Sequence, residues 1–140
     1  MPVAAAVASA RAVQADAGKA KARLSRAHVD IDATRADVGR LAGQVAGLAA
    51  IEKPGLFASG NKRQSHKLRK QNAERARALA AEADRIAAMS GSLSDIGALE
   101  ANLSRLRSLR SQVSELLAGS NAALKALAKP DKKADATDKK

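Results

Sequence analysis

Two histidines are the residues of this chain that could take part in metal chemistry. His28 and Asp32 are four residues apart, a spacing that places both on one face of a helix and could hold one weakly bound metal ion. A zinc site needs three or four ligands, and the sequence has no cysteine and no companion at ligand spacing for His28 or His66. We therefore interpret His28 and Asp32 as an exposed helix pair and predict no metal site.

Motifs for catalysis or nucleotide binding are absent from the sequence. The stretch from Gly55 to Gly60 is followed by Asn61 and Lys62, so it lacks the Gly-Lys-Ser/Thr ending of a phosphate-binding loop. No nucleophile is accompanied by a base at a recognisable spacing. We predict that the protein is not an enzyme and that it uses no cofactor.

A basic segment from Lys62 to Arg77 is the strongest candidate for a binding site, and Glu74 is its one acidic residue. Such a density of cations suits an acidic protein surface or a phosphate backbone. No aromatic residue lies among the cations, so nucleic-acid binding would be independent of base sequence. Anionic lipid is a further alternative, although the segment lacks bulky apolar residues opposite its charges, and so is a plain solvated helix. The predicted contacts for a protein partner or nucleic acid are Lys62, Arg63, Lys67, Arg69, Lys70, Arg75 and Arg77.

Helices must position these groups, because an apolar seam with alternating spacings of three and four residues runs from Val3 to Leu48. Its second half, from Leu24 onward, carries Leu, Ile and Val and is predicted to form a core against a third, Leu-rich helix. Its first half, Val3 to Ala20, is mostly Ala and is predicted to need another molecule. The predicted packing seam comprises Leu24, Ile31, Val38, Leu41, Val45, Leu48, Leu99, Leu103, Leu106 and Val113.

Three glycines lie on the back of this first helix, away from the seam. Gly39, Gly43 and Gly47 are four residues apart and so share one face. One interpretation is a close contact with another chain or another segment, because glycine lets backbones approach. The alternative is a weak or bent helix end, because each glycine in a helix interior costs about 1 kcal/mol relative to alanine.

Turn signals divide the chain into three helices at about residues 3–52, 61–90 and 93–128. Pro54 and Gly55 form the first break, around which Phe57 is predicted either to plug the end of a bundle or to anchor a partner. Gly91 marks the second break, and the last two helices are expected to form one broken return arm. Residues 129–140 are polar and charged and are predicted to be a disordered basic tail. The predicted fold is all-α, an elongated antiparallel hairpin or coiled-coil bundle of two to three long helices in one domain, residues 1–128.

Composition fits a thin helical protein. The 140 residues carry a formal net charge of +11 and a single aromatic side chain. No uncharged apolar stretch is long enough for a membrane span. We expect synthesis in the cytoplasm, with incorporation into a virion or a secretion assembly as an option. In its alanine-rich, cysteine-free composition the chain resembles phage virion and scaffolding components, secretion-apparatus stalk proteins and granule-coating phasins, but no residue motif ties it to any of them.

These observations together favour a non-enzymatic structural or adaptor component of a larger assembly. Helix–helix packing would hold it there, and the basic segment would dock on an acidic partner. Self-association or protein partners are expected. The alternative function is architectural binding of nucleic acid without sequence preference.

Overall fold

The computed structural model describes the backbone of residues 2–128, together with the side chains of Arg11 and residues 14–127. Within this part the chain consists of three helices and contains no strand: α1 (Pro2–Ala50), α2 (Gly60–Ser90) and α3 (Ile96–Ala128). The predicted all-α class is confirmed, and the helix bounds differ from those predicted by a few residues at most. The predicted tail lies outside the described residues.

Short polar side chains define where α2 and α3 begin. Ser59 adopts an extended backbone conformation, and its hydroxyl accepts a hydrogen bond from the Lys62 amide at 3.2 Å. The carboxylate of Asp95 accepts one from the Ala98 amide at 3.3 Å. Both satisfy amides that have no partner within the helix, which is why these residue types start helices.

The three helices pack side by side as a bundle. Arg35 of α1 pairs with Asp84 of α2 at 2.8 Å, and Arg110 of α3 reaches Asp37 of α1 at 3.5 Å. A second ion pair joins Arg23 of α1 to Glu100 of α3. The two residues on α1, Arg23 and Asp37, therefore occur in the same order as their partners on α3. Therefore α1 and α3 are parallel and α2 is antiparallel to both.

The expectation that α2 and α3 form one broken arm is wrong. The chain reverses direction between residues 91 and 95, and the two helices lie beside each other. Each carries its own apolar stripe, and an end-to-end arrangement would leave part of both stripes in water. The stripe on α3 is wide because it faces two neighbours.

Aliphatic side chains from all three helices form one core. Ile31, Val38 and Val45 of α1 are at most 1% exposed. On α2 the small Ala76 and Ala83 are completely buried, so this helix can approach its neighbours closely. The other buried apolar residues are Ala27, Ala42, Leu79, Ile86, Leu99, Leu103, Leu106, Leu109 and Val113.

Half-buried amide side chains fix the register between α2 and α3 by bonding to buried serines. The Asn72 side chain, which interrupts the apolar line of α2, donates to the Ser120 hydroxyl at 3.1 Å and to the Leu116 carbonyl at 3.3 Å. Toward the other end, Asn102 donates to the Ser90 hydroxyl at 2.9 Å. A shift of either helix by one turn would leave these polar groups unpaired in the interior.

The first part of α1 extends past the bundle. The turn between α2 and α3 packs beside His28, whose Nε2 lies 3.0 Å from the Leu93 carbonyl oxygen. Every described side chain from Arg11 to Arg23 is exposed. The part of α1 from Arg11 to Ala22, on the order of 18 Å long at 1.5 Å per residue, therefore lies beyond the bundle. Arg23 still reaches the bundle through its ion pair with Glu100, and we call residues 2–22 the α1 extension.

Candidate interaction surfaces

The predicted basic segment lies at the end of the bundle opposite the α1 extension. Here the loop at residues 51–59 joins α1 to α2, and the last turns of α3 are adjacent, since the Ser65 hydroxyl donates to the Ala123 carbonyl at 3.2 Å. We call the loop together with residues 60–70 the basic tip. Glu52 is its one acidic residue.

Arg69 does not belong to the surface, which corrects its predicted role as a partner contact. The residue is 0% exposed. Its guanidinium donates to the Leu48 carbonyl at 2.6 Å, to the carbonyls of Ile51 and Glu52, and to the Ser65 hydroxyl at 3.1 Å. These carbonyls lie at the end of α1, where a helix leaves its last acceptors without partners. Arg69 is therefore a cap for a neighbouring helix.

Lys62 and Arg63 are also engaged within the chain. Lys62 forms an ion pair with Glu52 at 3.3 Å. The exposed Arg63 donates from its guanidinium to the carbonyl of Leu56 at 2.9 Å and to those of Gly55 and Ala58 at 3.5 and 3.3 Å. Both side chains hold the loop against the first turn of α2.

The remaining predicted cations are exposed and divide between two faces of α2. Lys67, Lys70 and Arg77 follow one another at helical spacing on the outer face, where Glu74 interrupts them. Arg75 points instead toward α3 and lines a groove with Glu82 and Arg105. The structure thus brings Lys67 and Lys70 together near the tip and separates Arg75 from them.

Two bulky apolar residues at the basic tip are almost completely exposed. Leu56 is 82% and Phe57 is 94% exposed. The prediction that Phe57 plugs the end of the bundle is therefore wrong. The buried side chain of Arg69 lies at this end of the bundle instead. Its guanidinium donates hydrogen bonds to backbone carbonyls, which an aromatic ring could not do. Sequence reasoning missed Leu56, although the run Pro-Gly-Leu-Phe places it on a turn.

The residues of the predicted packing seam lie between the helices. Ile31, Val38, Val45, Leu99, Leu103, Leu106 and Val113 are buried, and Leu24, Leu41 and Leu48 are half-buried. On α1 the seam faces both α2 and α3. Ala17 and Ala20, which continue the seam into the α1 extension, are exposed. The side chains of Val3 and Val13 lie outside the described residues.

The three glycines of the predicted close-contact face are exposed on the outside of α1. A methyl group added at Gly39, Gly43 or Gly47 would meet no atom within 4 Å. No segment between residues 2 and 128 therefore approaches this face closely. A close contact here would have to come from outside residues 2–128.

Replacing Gly43 with alanine is expected to stabilise the isolated chain by about 0.5–1 kcal/mol, because alanine loses less backbone entropy and meets empty space. Thermal unfolding followed by circular dichroism would measure this change. The control is the reverse change Ala46→Gly at an exposed position of the same helix, which should destabilise the chain by a similar amount. No gain at Gly43 would contradict the open environment.

Side chains that could bind a metal ion are scattered over the part of the chain that the structure describes. His28, interpreted from the sequence as exposed, is half-buried against the α2–α3 turn. No group of three or more His, Cys, Asp or Glu side chains within this part lies close enough to hold a metal ion. The groove between α2 and α3 has a volume of about 260 Å³, and the ion pair of Arg105 with Glu82 at 3.1 Å lies along its wall.

Comparisons with known proteins add no relative to this picture. In the helices between residues 2 and 128, no stretch is both long and apolar enough to cross a membrane. The chain matches no protein-family model, no curated protein and no solved structure.

Proposed function

We propose that this protein is a non-enzymatic structural or adaptor component of a larger assembly, which it joins by helix–helix packing. The α1 extension is the observation that supports this proposal. Its backbone is helical from Pro2, yet its described side chains contact neither α2 nor α3 closely enough to be buried. A helix that is not packed by its own chain gains little stability from propensity alone.

The heptad seam gives the extension a face for a partner helix. Ala17 and Ala20 continue the phase of Leu24, which the bundle half buries, and of Ile31 and Val38, which it buries completely. Small side chains allow a partner helix to approach closely. The contact would then come from close van der Waals packing of the two helices and not from large side chains. The assembly would be of the kind built from helical parts, such as a virion or a secretion apparatus.

Charge on the seam is expected to disrupt this association. The double substitution Ala17→Glu with Ala20→Glu places two carboxylates where a partner helix would pack, and burying unpaired charge is costly. We expect at least tenfold weaker association of the full chain, measured by sedimentation equilibrium over a range of concentrations. Co-sedimentation with the assembly from the native source would report a heterologous partner.

The matched control is Ala15→Glu with Ala22→Glu. Both residues are exposed alanines on the opposite face of the same helix, so charge and helix propensity change equally. This control should associate as the unchanged chain does. Equal behaviour of the two double variants, or a chain that stays monomeric and joins no larger particle, would refute the proposal.

Architectural binding of nucleic acid is the second candidate, and the exposed Lys67, Lys70 and Arg77 support it. Its footprint is smaller than the sequence suggests, because Arg69 is buried and Lys62 is paired. A gel-shift titration with random duplex at rising salt is the test. Each phosphate contact adds about 0.9 to the logarithmic salt slope, so three contacts predict a slope near 3, whereas no retardation at low salt would exclude this function.

A further inference from the structure

The basic tip carries its apolar residues in an unusual position. Phe57 is the one aromatic residue of the chain, and at 94% exposure it is the most exposed of the large apolar residues described. Leu56 beside it is 82% exposed. Single exposed apolar side chains are common on proteins. Two adjacent bulky apolar side chains that are both exposed on one loop indicate a surface that binds a partner.

Hydrogen bonds hold the loop so that this pair stays outside the bundle. The Arg63 guanidinium contacts the carbonyls on either side of Phe57, those of Leu56 at 2.9 Å and Ala58 at 3.3 Å. The ion pair of Lys62 with Glu52 connects the two ends of the loop. Because the backbone is fixed from within, the two apolar side chains are presented without help from a partner, which lowers the entropy cost of binding.

Exposed lysines lie at the same end of the bundle as the pair, and the nearest carboxylate along the outer face of α2 is that of Glu74, one turn beyond Lys70. Lys53 is exposed in the same loop, and Lys67 and Lys70 are exposed on the second and third turns of α2. The only carboxylate of the basic tip, that of Glu52, is already paired with Lys62. The basic tip therefore combines two exposed apolar side chains with exposed lysines.

We propose that the basic tip binds anionic membrane surfaces, with Leu56 and Phe57 entering the interface and Lys53, Lys67 and Lys70 contacting lipid headgroups. This combination is what peripheral membrane binding requires, because apolar burial and attraction to anionic lipid add together. Membrane binding at this end is independent of the helix pairing proposed for the α1 extension.

A bilayer fits the tip better than a protein or a nucleic acid does. The grooves described on the bundle run between α2 and α3, away from the loop, so a protein partner would need to supply the entire pocket for Leu56 and Phe57. A phosphate backbone would attract the lysines but would leave both apolar side chains in water. The membrane interface accepts such side chains without a matching cavity.

Sedimentation with vesicles tests the proposal on the full chain. We expect binding to phosphatidylcholine vesicles that contain about 30% phosphatidylserine, and at least tenfold weaker binding to phosphatidylcholine alone, at about 0.1 M salt. The double variant Leu56→Ser with Phe57→Ser should bind the anionic vesicles about tenfold or more weakly. Its matched control is Val29→Ser with Met89→Ser, which changes side chains that are 62% and 58% exposed at the other end of the bundle and should bind normally.

A charge variant and a fluorescent variant complete the experiment. Lys67→Glu with Lys70→Glu should weaken binding by at least about 25-fold, since each lysine near an anionic surface contributes about fivefold. The chain has no tryptophan, so Phe57→Trp introduces a single probe. Its emission should shift to shorter wavelength when anionic vesicles are added, whereas a Val29→Trp probe should not respond.

Three results would overturn the proposal. The first is no binding to either vesicle. The second is unchanged binding by Leu56→Ser with Phe57→Ser, which would show attraction by charge alone. The third is retardation of random duplex DNA without vesicle binding, which would assign the basic tip to nucleic acid. Circular dichroism of each variant would verify its helix content, and the exposed positions make a folding defect unexpected.

Discussion

Substitution of Arg69 with methionine is expected to lower the free energy of unfolding by about 3 kcal/mol. Methionine matches much of the aliphatic stem but cannot donate hydrogen bonds. The carbonyls of Leu48, Ile51 and Glu52 would lose the donors that now satisfy them. Replacing a buried charge with an apolar group can be harmless when both partners are removed, but here the carbonyls belong to the backbone and remain.

The position of Arg69 explains why the effect should be large. α1 has no basic residue in its last turn, so the positive group that favours a helix C-terminus must come from another element. Arg69 of α2 provides it from the interior. The adjacent Lys70 is exposed and serves as the control, since Lys70→Met should change the free energy of unfolding by about 0.5 kcal/mol or less. Urea unfolding of both variants, followed at 222 nm, would compare them, and equal stability would contradict the capping role.

Truncation of Leu106 to alanine is expected to destabilise the bundle by about 3 kcal/mol, within the usual range for a buried leucine. Leu106 is completely buried in the core between the three helices. The loss combines the transfer of its methyl groups to water with the cavity that remains. A thin bundle has few alternative contacts with which to fill that cavity.

The exposed Leu56 provides the matched control for this change. Leu56→Ala removes the same atoms from a side chain that is 82% exposed, so the free energy of unfolding should change by less than about 0.5 kcal/mol. Both variants would be compared by urea unfolding with a common slope. If the two substitutions had similar effects, Leu106 could not occupy the core described here.

The sequence predicted the helices well but not their arrangement. The spacing of Leu24, Ile31 and Val38 defines a seam, and Pro54 defines a break, because both depend on local geometry. A seam does not say how many helices face it. The stripe on α3, widened by Leu109 and Leu116, did indicate contact with more than one neighbour.

The residues exposed on the surface were harder to predict than the helices. Arg69 carries the same charge as the neighbouring lysines, but it shares the helical phase of Ser65 and Ala76, which are buried. Reading the phase of α2 would have separated it from Lys67 and Lys70. Phe57 lies in a loop without periodicity, so its burial or exposure depends on tertiary contacts alone.

The continuity of α1 from the extension into the bundle has a geometric consequence. Successive residues turn by about 100° and advance about 1.5 Å, so the direction in which Ala17 and Ala20 face is locked to the direction in which Ile31 and Val38 face. Without a hinge between them, anything packed on the extension is held at a defined rotation and distance from the three-helix body. The first helix would therefore fix both the distance and the angle between the three-helix body and any partner that packs on the extension.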